Sequence, residues 1–193
     1  RPDPETPLEE TMGALAQAVR SGKALYVGLS NYDGETMRRA ADILEQLHCP
    51  YIINQNRYSI LDRETERNGI LDASADRKKG VIIYSPLAQG MLTDRYLHGI
   101  PEDSRVRTDG RFLKETALTE DKLAQIRALN EIAAARGQTL AEMALAWILK
   151  DGKVTSVLIG ASRPEQITDT LQIVGQKPLT DEELRAVDAA VGL

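Results

Sequence analysis

The segment Ala24-Leu25-Tyr26-Val27-Gly28-Leu29-Ser30-Asn31 decides the fold, because it is a short apolar run that ends in two small polar residues. Residues 24–29 lack the alternation of apolar and polar side chains that a half-buried strand shows. A continuous apolar run of this length is typical of a parallel strand that is covered on both faces. Similar runs predict three further strands, at residues 51–54, 81–84 and 156–159.

Apolar residues at helical spacing flank these strands. Leu8, Met12, Leu15 and Val19 recur at steps of four, three and four, which places them on one face of a helix. The same periodicity predicts further helices around Met37, Ala41 and Leu44, around Leu123, Ile126 and Leu129, and around Leu140, Met143, Ala144, Trp147 and Ile148.

Helix starts are marked by pairs with the spacing of a capping box, in which Ser or Thr precedes Glu by three residues. The first of them also has Pro7 at the first helical position. The pairs are Thr6 with Glu9, Thr139 with Glu142, Ser162 with Glu165, and Thr180 with Glu183.

The elements therefore follow the order helix, strand, helix, strand, helix, strand, long loop, two helices, strand, helix, helix. The first two intervals between strand starts are 27 and 30 residues, the length of a βαβ unit. This order predicts an α/β fold with a parallel sheet. A parallel (β/α)8 barrel takes about 250 residues, so four strands correspond to half of one, as a single domain over residues 1–193. A small open doubly wound sheet is the alternative.

Composition excludes several classes of function. The net charge of −5 and the pI near 5.2 argue against a nucleic-acid-binding surface, which is normally basic. We find no apolar run near the roughly 20 residues that a membrane-spanning helix needs. Cys49 is the only cysteine, and His48 and His98 lack metal-ligand spacing, so we expect no disulfide framework, no metal site and a reduced, cytoplasmic compartment. The sequence opens on Arg1 and resembles the middle of a longer protein.

The residues that follow the predicted strands are the candidates for ligand binding, because ligands of parallel α/β folds lie at the carboxyl ends of strands. The first strand is followed by Ser30 and Asn31, and the second by Gln55 and Asn56. The third ends in Tyr84 and Ser85. We find no paired carboxylates and no nucleophile beside a base. This pattern predicts a face that holds a ligand by hydrogen bonds and stacking.

Two cationic features indicate a phosphorylated ligand. The segment Gly160-Ala161-Ser162-Arg163 opens a helix, where backbone N–H groups and the helix dipole favour an anion. The stretch 85–118 is far longer than a typical loop and predicts a functional lid; its arginines are Arg95, Arg105, Arg107 and Arg111. Structural alternatives remain: Ser162 as a helix cap, Tyr84 as a core aromatic and each arginine as a solvated side chain.

Three longer segments resemble the aldo-keto reductases, and most closely the bacterial branch of glyceraldehyde 3-phosphate reductase and the related potassium-channel β subunits. They are residues 22–32 (GKALYVGLSNY), residues 84–93 (YSPLAQGMLT) and residues 157–167 (VLIGASRPEQI). The resemblance covers essentially the whole chain, in the family's order. It implies a (β/α)8 barrel that transfers hydride from NADPH to an aldehyde or ketone, of which this chain supplies the C-terminal half.

The resemblance also assigns roles in NADP(H) binding. It implies that Ser30, Asn31 and Gln55 bond the nicotinamide carboxamide and that Tyr84 stacks on the nicotinamide ring. Ser162 and Arg163 are implied near the ribose 2′-phosphate. The remaining cofactor residues are Ser85, Leu87, Gln89 and Gly90 at the pyrophosphate, Arg95 and Arg105 in the closing loop 85–118, and Gly160 and Gln166 at the adenosine end.

The chain departs from the family pattern in two places. Asp169-Thr170 stands where Glu-Asn would contact the adenine. The family's catalytic Asp, Tyr and Lys belong to the first half of the barrel, and its His is expected immediately before Arg1. We therefore expect no catalytic residue in this chain.

The leading hypothesis is thus the cofactor-binding half of an NADP(H)-dependent reductase of small carbonyl compounds, inactive alone. Half a barrel exposes two sheet edges, so self-association is expected. A non-catalytic NADPH-binding sensor or regulatory module is the alternative from another class. A structural remnant without a ligand is the third possibility.

Overall fold

The structure is a computed structural model that describes residues 1–97, 99–101, 116 and 118–193. Its contacts divide the chain into two compact units. The strand unit comprises Arg1–Tyr58, Asp62–Tyr84 and Asp151–Leu158. The helical unit comprises Ser59–Leu61, Ser85–Lys150 and Ile159–Leu193.

The strand unit alternates helices and strands in the predicted order. Its elements are α1 (Leu8–Arg20), β1 (Val27–Ser30), α2 (Gly34–Gln46), β2 (Tyr51–Arg57), α3 (Glu64–Arg67), α4 (Ile70–Asp76), β3 (Gly80–Tyr84) and β4 (Ser156–Val157). All four predicted strands are present with shifted ends. The helix predicted between β2 and β3 is divided into the short α3 and α4, because Gly69 adopts a left-handed φ of 73° between them.

The strands form one parallel sheet in the order β1-β2-β3-β4. Ser30 of β1 lies beside Gln55 of β2 in the sheet. Between β2 and β3, Gln55 lies beside Ile82 and Arg57 beside Tyr84. A register shift between Val27 and Gly28 marks a bulge in β1. Consecutive parallel strands joined by helices are the βαβ arrangement that the sequence predicted.

Burial alternates along the strands, which differs from the expectation of strands covered on both faces. Val27 and Leu29 are buried, whereas Gly28 between them is exposed. In β3, Val81 and Ile83 are fully buried, and their neighbours on either side are half-buried. The helices therefore cover one face of this sheet, and the other face is more open.

A hydrophobic core lies between that covered face and the helices. Met12 and Ala16 of α1 and Met37 and Leu44 of α2 pack there with Leu29 of β1. The apolar periodicity of both helices thus predicted the faces that are buried. Burying a side chain of this size stabilises a fold by about 1.5–3 kcal/mol.

The helical unit contains α5 (Glu120–Ala135), α6 (Leu140–Ile148), α7 (Pro164–Leu171) and α8 (Asp181–Val191), together with 3-10 turns at Ala88–Gly90 and Asp94–Tyr96. Helix α5 packs against α6 and α8. Trp147 is fully buried, and Lys150 Nζ lies 3.6 Å from the centroid of its ring.

Two of the predicted capping boxes are confirmed. At α6, Thr139 N donates to a Glu142 carboxylate oxygen over 2.8 Å, and Glu142 N donates to Thr139 Oγ1 over 3.2 Å. Thr180 and Glu183 make the same reciprocal pair at the start of α8. Each pair satisfies N–H groups that the first helical turn leaves without partners.

The other two capping boxes are wrong. Helix α1 is preceded by Pro7 without a side-chain cap, because the Thr6 hydroxyl donates to Asp3 Oδ2 over 2.9 Å. Helix α7 is capped one residue later than predicted, with Gln166 in place of Glu165 as the reciprocal residue. In both motifs the hydroxyl of the predicted capping residue donates to another nearby side chain, that of Asp3 or of Gln166.

One close backbone approach holds α2 against the segment between α3 and α4. Gly34 N donates to Asn68 O over 2.9 Å. A Cβ at position 34 would lie 2.4 Å from the Gly69 carbonyl oxygen, which is far inside van der Waals contact. Only glycine fits at this position.

We therefore expect Gly34→Ala to destabilise the protein by about 2–3 kcal/mol, because the backbone must separate to admit the methyl group. Gly13→Ala is the matched control, since nothing lies within 4 Å of a Cβ at that helical position. That change should stabilise the protein by about 0.5–1 kcal/mol through its greater helix propensity. Urea unfolding of both variants measures the two effects, and equal effects would contradict this account.

The Glu183 carboxylate couples the start of α8 to the rest of the helical unit. It accepts from Thr180 N over 2.7 Å and pairs with the half-buried Arg136. The Thr180 backbone N–H lowers the pKa of Glu183 most; burial opposes this shift, and Arg136 adds to it, so the pKa lies below its ordinary value of 4.5.

Because that pKa is lower in the folded state, the stabilisation is complete above the unfolded value near 4.5 and is lost as pH falls through the folded value. We expect Glu183→Gln to cost about 1 kcal/mol at pH 7 and less at pH 3. Thermal unfolding at both pH values measures the difference. Glu182→Gln, an exposed position in the same turn, should have little effect; an equal loss there would show that the helix dipole alone is responsible.

Candidate functional site

Four predicted cofactor residues meet at the carboxyl ends of neighbouring strands. Ser30 ends β1 and is paired in register with Gln55 of β2, while Tyr84 ends β3. Asn31 follows Ser30 directly. All four side chains are half-buried, so polar atoms there are available to a ligand yet held by the sheet.

The backbone and side chain of Asn31 organise this group. Its N–H donates to Gln55 O over 3.0 Å, which extends the ladder of β1 and β2 by one residue. Its φ of 60° is left-handed, a conformation that asparagine tolerates better than most residues. Its Oδ1 accepts a 3.2 Å hydrogen bond from the Tyr84 hydroxyl. Tyr84 is therefore a positioned aromatic side chain at the strand ends and not a core residue.

The turn that follows β3 has unusual backbone geometry and belongs to the helical unit. Ser85, Ala88 and Gln89 have left-handed φ values of 55°, 47° and 61°, and Gly90 follows at 96°. Leu87 O accepts from Gly90 N over 2.9 Å and from Leu92 N over 3.2 Å. Left-handed non-glycine residues cost free energy and are often found at functional sites; the cofactor roles of Ser85, Leu87, Gln89 and Gly90 stay predictions.

Of the two arginines assigned to the closing loop, the structure describes only Arg95. Arg95 is exposed in the 3-10 turn Asp94–Tyr96, and its backbone N–H donates to Thr93 Oγ1 over 3.2 Å. The same hydroxyl donates to Gly90 O over 2.7 Å. Arg105 lies outside the described residues, as do Arg107 and Arg111.

The backbone N–H groups of the predicted anion site at the start of α7 already donate hydrogen bonds to a side chain of the same helix. Gln166 Oε1 accepts from Ser162 N over 2.8 Å, from Ser162 Oγ over 3.3 Å and from Arg163 N over 3.3 Å. Gly160, Ser162 and Arg163 are exposed. An anion that binds these N–H groups must therefore displace the Gln166 side chain, whereas Arg163 itself is exposed.

The structure reveals polar residues that sequence reasoning missed. Asn56 is 3% exposed, and its Oδ1 has no hydrogen-bond partner among the described residues. It lines a cavity of about 240 Å³ in the strand unit, together with Asn31, Arg57, Asp62, Glu64 and Asn68. We call this the loop cavity. The sequence indicated Asn31 and Asn56 as polar residues near strand ends. No motif marked the other four, of which Arg57 ends β2 and Asp62, Glu64 and Asn68 lie in or beside α3.

The buried tyrosines have structural partners in the strand unit. Tyr58 is 1% exposed and donates to Glu66, which also accepts from Arg63 Nε over 2.7 Å. Burial, and then the Glu66 carboxylate, raise the pKa of Tyr58. Burial likewise raises the pKa of Tyr51 and of Tyr32. These shifts hold the phenols protonated, and none of the three ends a strand at the cofactor residues.

The described residues lack two other features, a membrane-spanning helix and a metal-binding cluster. The structure contains no helix there that is long and apolar enough to cross a membrane. Within the same part of the chain, His, Cys, Asp and Glu form no cluster of three that could hold a metal ion.

Comparisons with known proteins agree with the resemblance in the sequence. The model of the Aldo/keto reductase family matches residues 1–191. The L-glyceraldehyde 3-phosphate reductase of Escherichia coli K12 is 47% identical over 97% of this chain and 55% of its own length. A putative voltage-gated potassium channel subunit beta of Schizosaccharomyces pombe is 35% identical over 97% of this chain and 56% of its own length.

Solved structures give the same result. The glycerol dehydrogenase of Gluconobacter oxydans has a TM-score of 0.76 and 29% identity over 98% of this chain and 56% of its own. A thermostable aldo-keto reductase has a TM-score of 0.68 and 30% identity over 98% of this chain and 57% of its own. The neighbours are TIM barrels, and the four parallel strands correspond to part of one. The chain spans about half the length of the relatives it matches.

Proposed function

The chain belongs to the aldo/keto reductase family, and from that premise we propose that it is the NADP(H)-binding half of a reductase of small aldehydes or ketones. We further propose that residues 1–193 form a single domain, the C-terminal half of the barrel. Family membership supports the reaction class, whereas the strand-end residues support the cofactor.

One observation carries the proposal: Asn31, which follows β1, is hydrogen-bonded to Gln55 of β2 and to Tyr84 of β3. A carboxamide needs both donors and acceptors, and the Asn31 and Gln55 side chains offer both. Tyr84 offers a flat aromatic face for stacking. Since the phenol is anchored on Asn31, the ring is oriented before the ligand arrives. These residues fit the nicotinamide end of the cofactor.

The residues that we propose for the phosphate end of the cofactor lie in segments 85–90 and 160–166. The left-handed turn of Ser85, Gln89 and Gly90 presents backbone polar groups that suit a pyrophosphate. Arg163 at the start of α7 suits the 2′-phosphate that distinguishes NADPH from NADH, because a guanidinium binds phosphate by charge-assisted hydrogen bonds. Gln166 would exchange its bonds to Ser162 and Arg163 for a place beside the bound nucleotide.

NADPH bound here would supply a hydride. Asn31 and Gln55 would hold its carboxamide, and Tyr84 would cover one face of the nicotinamide ring and leave the other face open to a carbonyl compound. We assign Tyr84 to stacking and not to proton donation, since its hydroxyl donates to Asn31 Oδ1 and holds the ring in place. We propose that the proton comes from the remainder of the barrel and that residues 1–193 alone reduce nothing.

A second candidate, an NADPH-binding regulatory module, is supported by the 35% identity to a putative channel β subunit. It requires the same cofactor residues and no proton donor. The two candidates differ in one respect. The first requires that the whole protein reduces a carbonyl compound, and the second does not. We also propose a reduced, cytoplasmic location, with which the free, buried Cys49 is consistent.

We expect this chain to bind NADPH more tightly than NADH, measured by quenching of its tyrosine and Trp147 fluorescence. Arg163→Ala should weaken NADPH binding by about ten- to a hundredfold, because it removes a charge-assisted contact to phosphate, and leave NADH binding almost unchanged. Absorbance of NADPH with glyceraldehyde present should stay constant, since no proton donor is supplied.

Arg185→Ala is the matched control, because Arg185 is an exposed arginine of α8 in the same unit. It should leave both affinities unchanged. Equal weakening by the two variants would show that overall charge and not a specific 2′-phosphate contact is responsible. Absence of binding by the folded chain would show that the site requires the other half of the barrel.

The strand unit exposes apolar side chains beside its sheet. Leu25 and Tyr26, which precede the edge strand β1, are 80% and 59% exposed; Ile52 and Leu158 are 46% and 41% exposed. An unpaired edge beside exposed apolar surface is prone to association. We therefore propose that this chain self-associates when it is isolated.

Sedimentation velocity at increasing concentration should show dimers or larger species. Tyr26→Lys should shift the population towards monomer, because a charge beside the edge opposes strand pairing. Gln46→Lys adds the same charge at an exposed position at the end of α2 and should have no such effect. A compact monomer at every concentration would refute the proposal.

A further inference from the structure

The buried amide of Asn56 has one polar atom bonded and the other unpaired. Its Nδ2 donates to Tyr32 O over 3.3 Å. Its Oδ1 has less than 1 Å² of accessible surface and no hydrogen-bond partner among the described residues. Although Asn56 lines the loop cavity, this oxygen is therefore closed to a ligand. Because a buried acceptor without a partner lowers stability, the benefit of the amide lies in its donor.

The donor of Asn56 holds the turn that carries Asn31. Asn31 N donates to Gln55 O over 3.0 Å, and the carbonyl of the next residue, Tyr32, accepts from Asn56. Two consecutive residues of β2 thus hold the backbone before and after Asn31. The left-handed φ of 60° at Asn31 costs free energy and persists only where its surroundings enforce it. Asn56 supplies one of these restraints.

The conformation of Asn31 in turn sets the orientation of Tyr84. Asn31 Oδ1 accepts a 3.2 Å hydrogen bond from the Tyr84 hydroxyl. A change of backbone conformation at Asn31 moves this acceptor, and the phenol loses its anchor. The contact of Asn56 with Tyr32 O therefore acts on an aromatic ring that Asn56 itself is not bonded to.

We propose that Asn56 is a positioning residue for the nicotinamide end of the cofactor site. By holding Tyr32 O, it keeps Asn31 in its left-handed conformation and Tyr84 in the orientation for stacking. Asn56 itself contacts no ligand. Its effect on cofactor affinity rests on the proposed function, whereas its effect on Asn31 and Tyr84 does not and is measured without cofactor.

Asn54 is a buried asparagine of the same strand with a purely structural role. It is 1% exposed, and both ends of its amide are bonded. Its Oδ1 accepts from the Tyr51 hydroxyl, and its Nδ2 donates to Ser74 Oγ over 2.8 Å. These partners lie in β2 and α4 and not in the turn after β1. Asn54 is therefore the matched control.

The test compares Asn56→Leu with Asn54→Leu, since leucine has the shape of asparagine without its polar atoms. Asn56→Leu should weaken NADPH binding about tenfold and change binding of adenosine 2′,5′-bisphosphate, which lacks the nicotinamide, by less than about twofold. Its midpoint of urea unfolding should stay close to that of the parent chain, because removal of the unpaired Oδ1 offsets the lost bond. Asn54→Leu should lower the midpoint and leave the ratio of the two affinities unchanged.

NMR chemical shifts of the cofactor-free chain test the positioning directly. In Asn56→Leu, the backbone shifts of Asn31 should move away from left-handed values, and the ring resonances of Tyr84 should shift. In Asn54→Leu both sets should stay in place. Asn56→Ala gives the same comparison if Asn56→Leu does not fold, because it removes the amide without adding bulk.

Three results would overturn the proposal. These are unchanged shifts of Asn31 and Tyr84 in a folded Asn56 variant, equal weakening of both ligands by that variant, and a loss of stability as large as that of Asn54→Leu with an unchanged affinity ratio. If the parent chain binds no NADPH but the shifts of Asn31 and Tyr84 respond as expected, the positioning role is supported and only the proposed cofactor function fails.

Discussion

The hydrogen-bond register of the parallel sheet is the constraint on which the candidate site depends. Because β1 and β2 run in the same direction, Ser30 and Gln55 lie side by side, and the ladder continues from Asn31 N to Gln55 O. The next pair of strands places Tyr84 beside Arg57. A slip of one residue would turn each of these side chains to the opposite face. The site therefore exists only in this register.

Buried polar contacts and one close backbone approach reinforce that register. The Tyr51 hydroxyl donates to Asn54, whose Nδ2 donates to Ser74 Oγ over 2.8 Å, and Ser74 donates to Ile70 O over 2.7 Å. This chain of bonds joins β2 to α4. Leaving one of these buried groups without its partner costs about 1–3 kcal/mol, so the network favours a single alignment of helix and sheet.

Much of the fold could be predicted from local patterns, and the errors have local causes. Apolar periodicity predicted the buried faces of α1, α2, α5 and α6, because a helix of fixed pitch presents such residues on one side. The caps at Thr6 and Ser162 were predicted wrongly, because Asp3 and Gln166 compete for the same polar groups. The strand pattern did not predict that one sheet face is more open, since an apolar run does not say what covers it.

The sequence by itself determined the order of strands and helices, the polar residues at the strand ends and the resemblance to the family. These depend on neighbours in the chain and on motifs of fixed spacing. Only the tertiary structure decided that Tyr84 is anchored on Asn31, that Gln166 occupies the N–H groups at the start of α7, and that Asn56 Oδ1 is buried without a hydrogen-bond partner among the described residues. Each of these contacts depends on the rotamer and approach of a particular side chain; the Tyr84–Asn31 bond, for example, joins residues more than fifty positions apart. Side-chain geometry of this kind is fixed only when the elements pack.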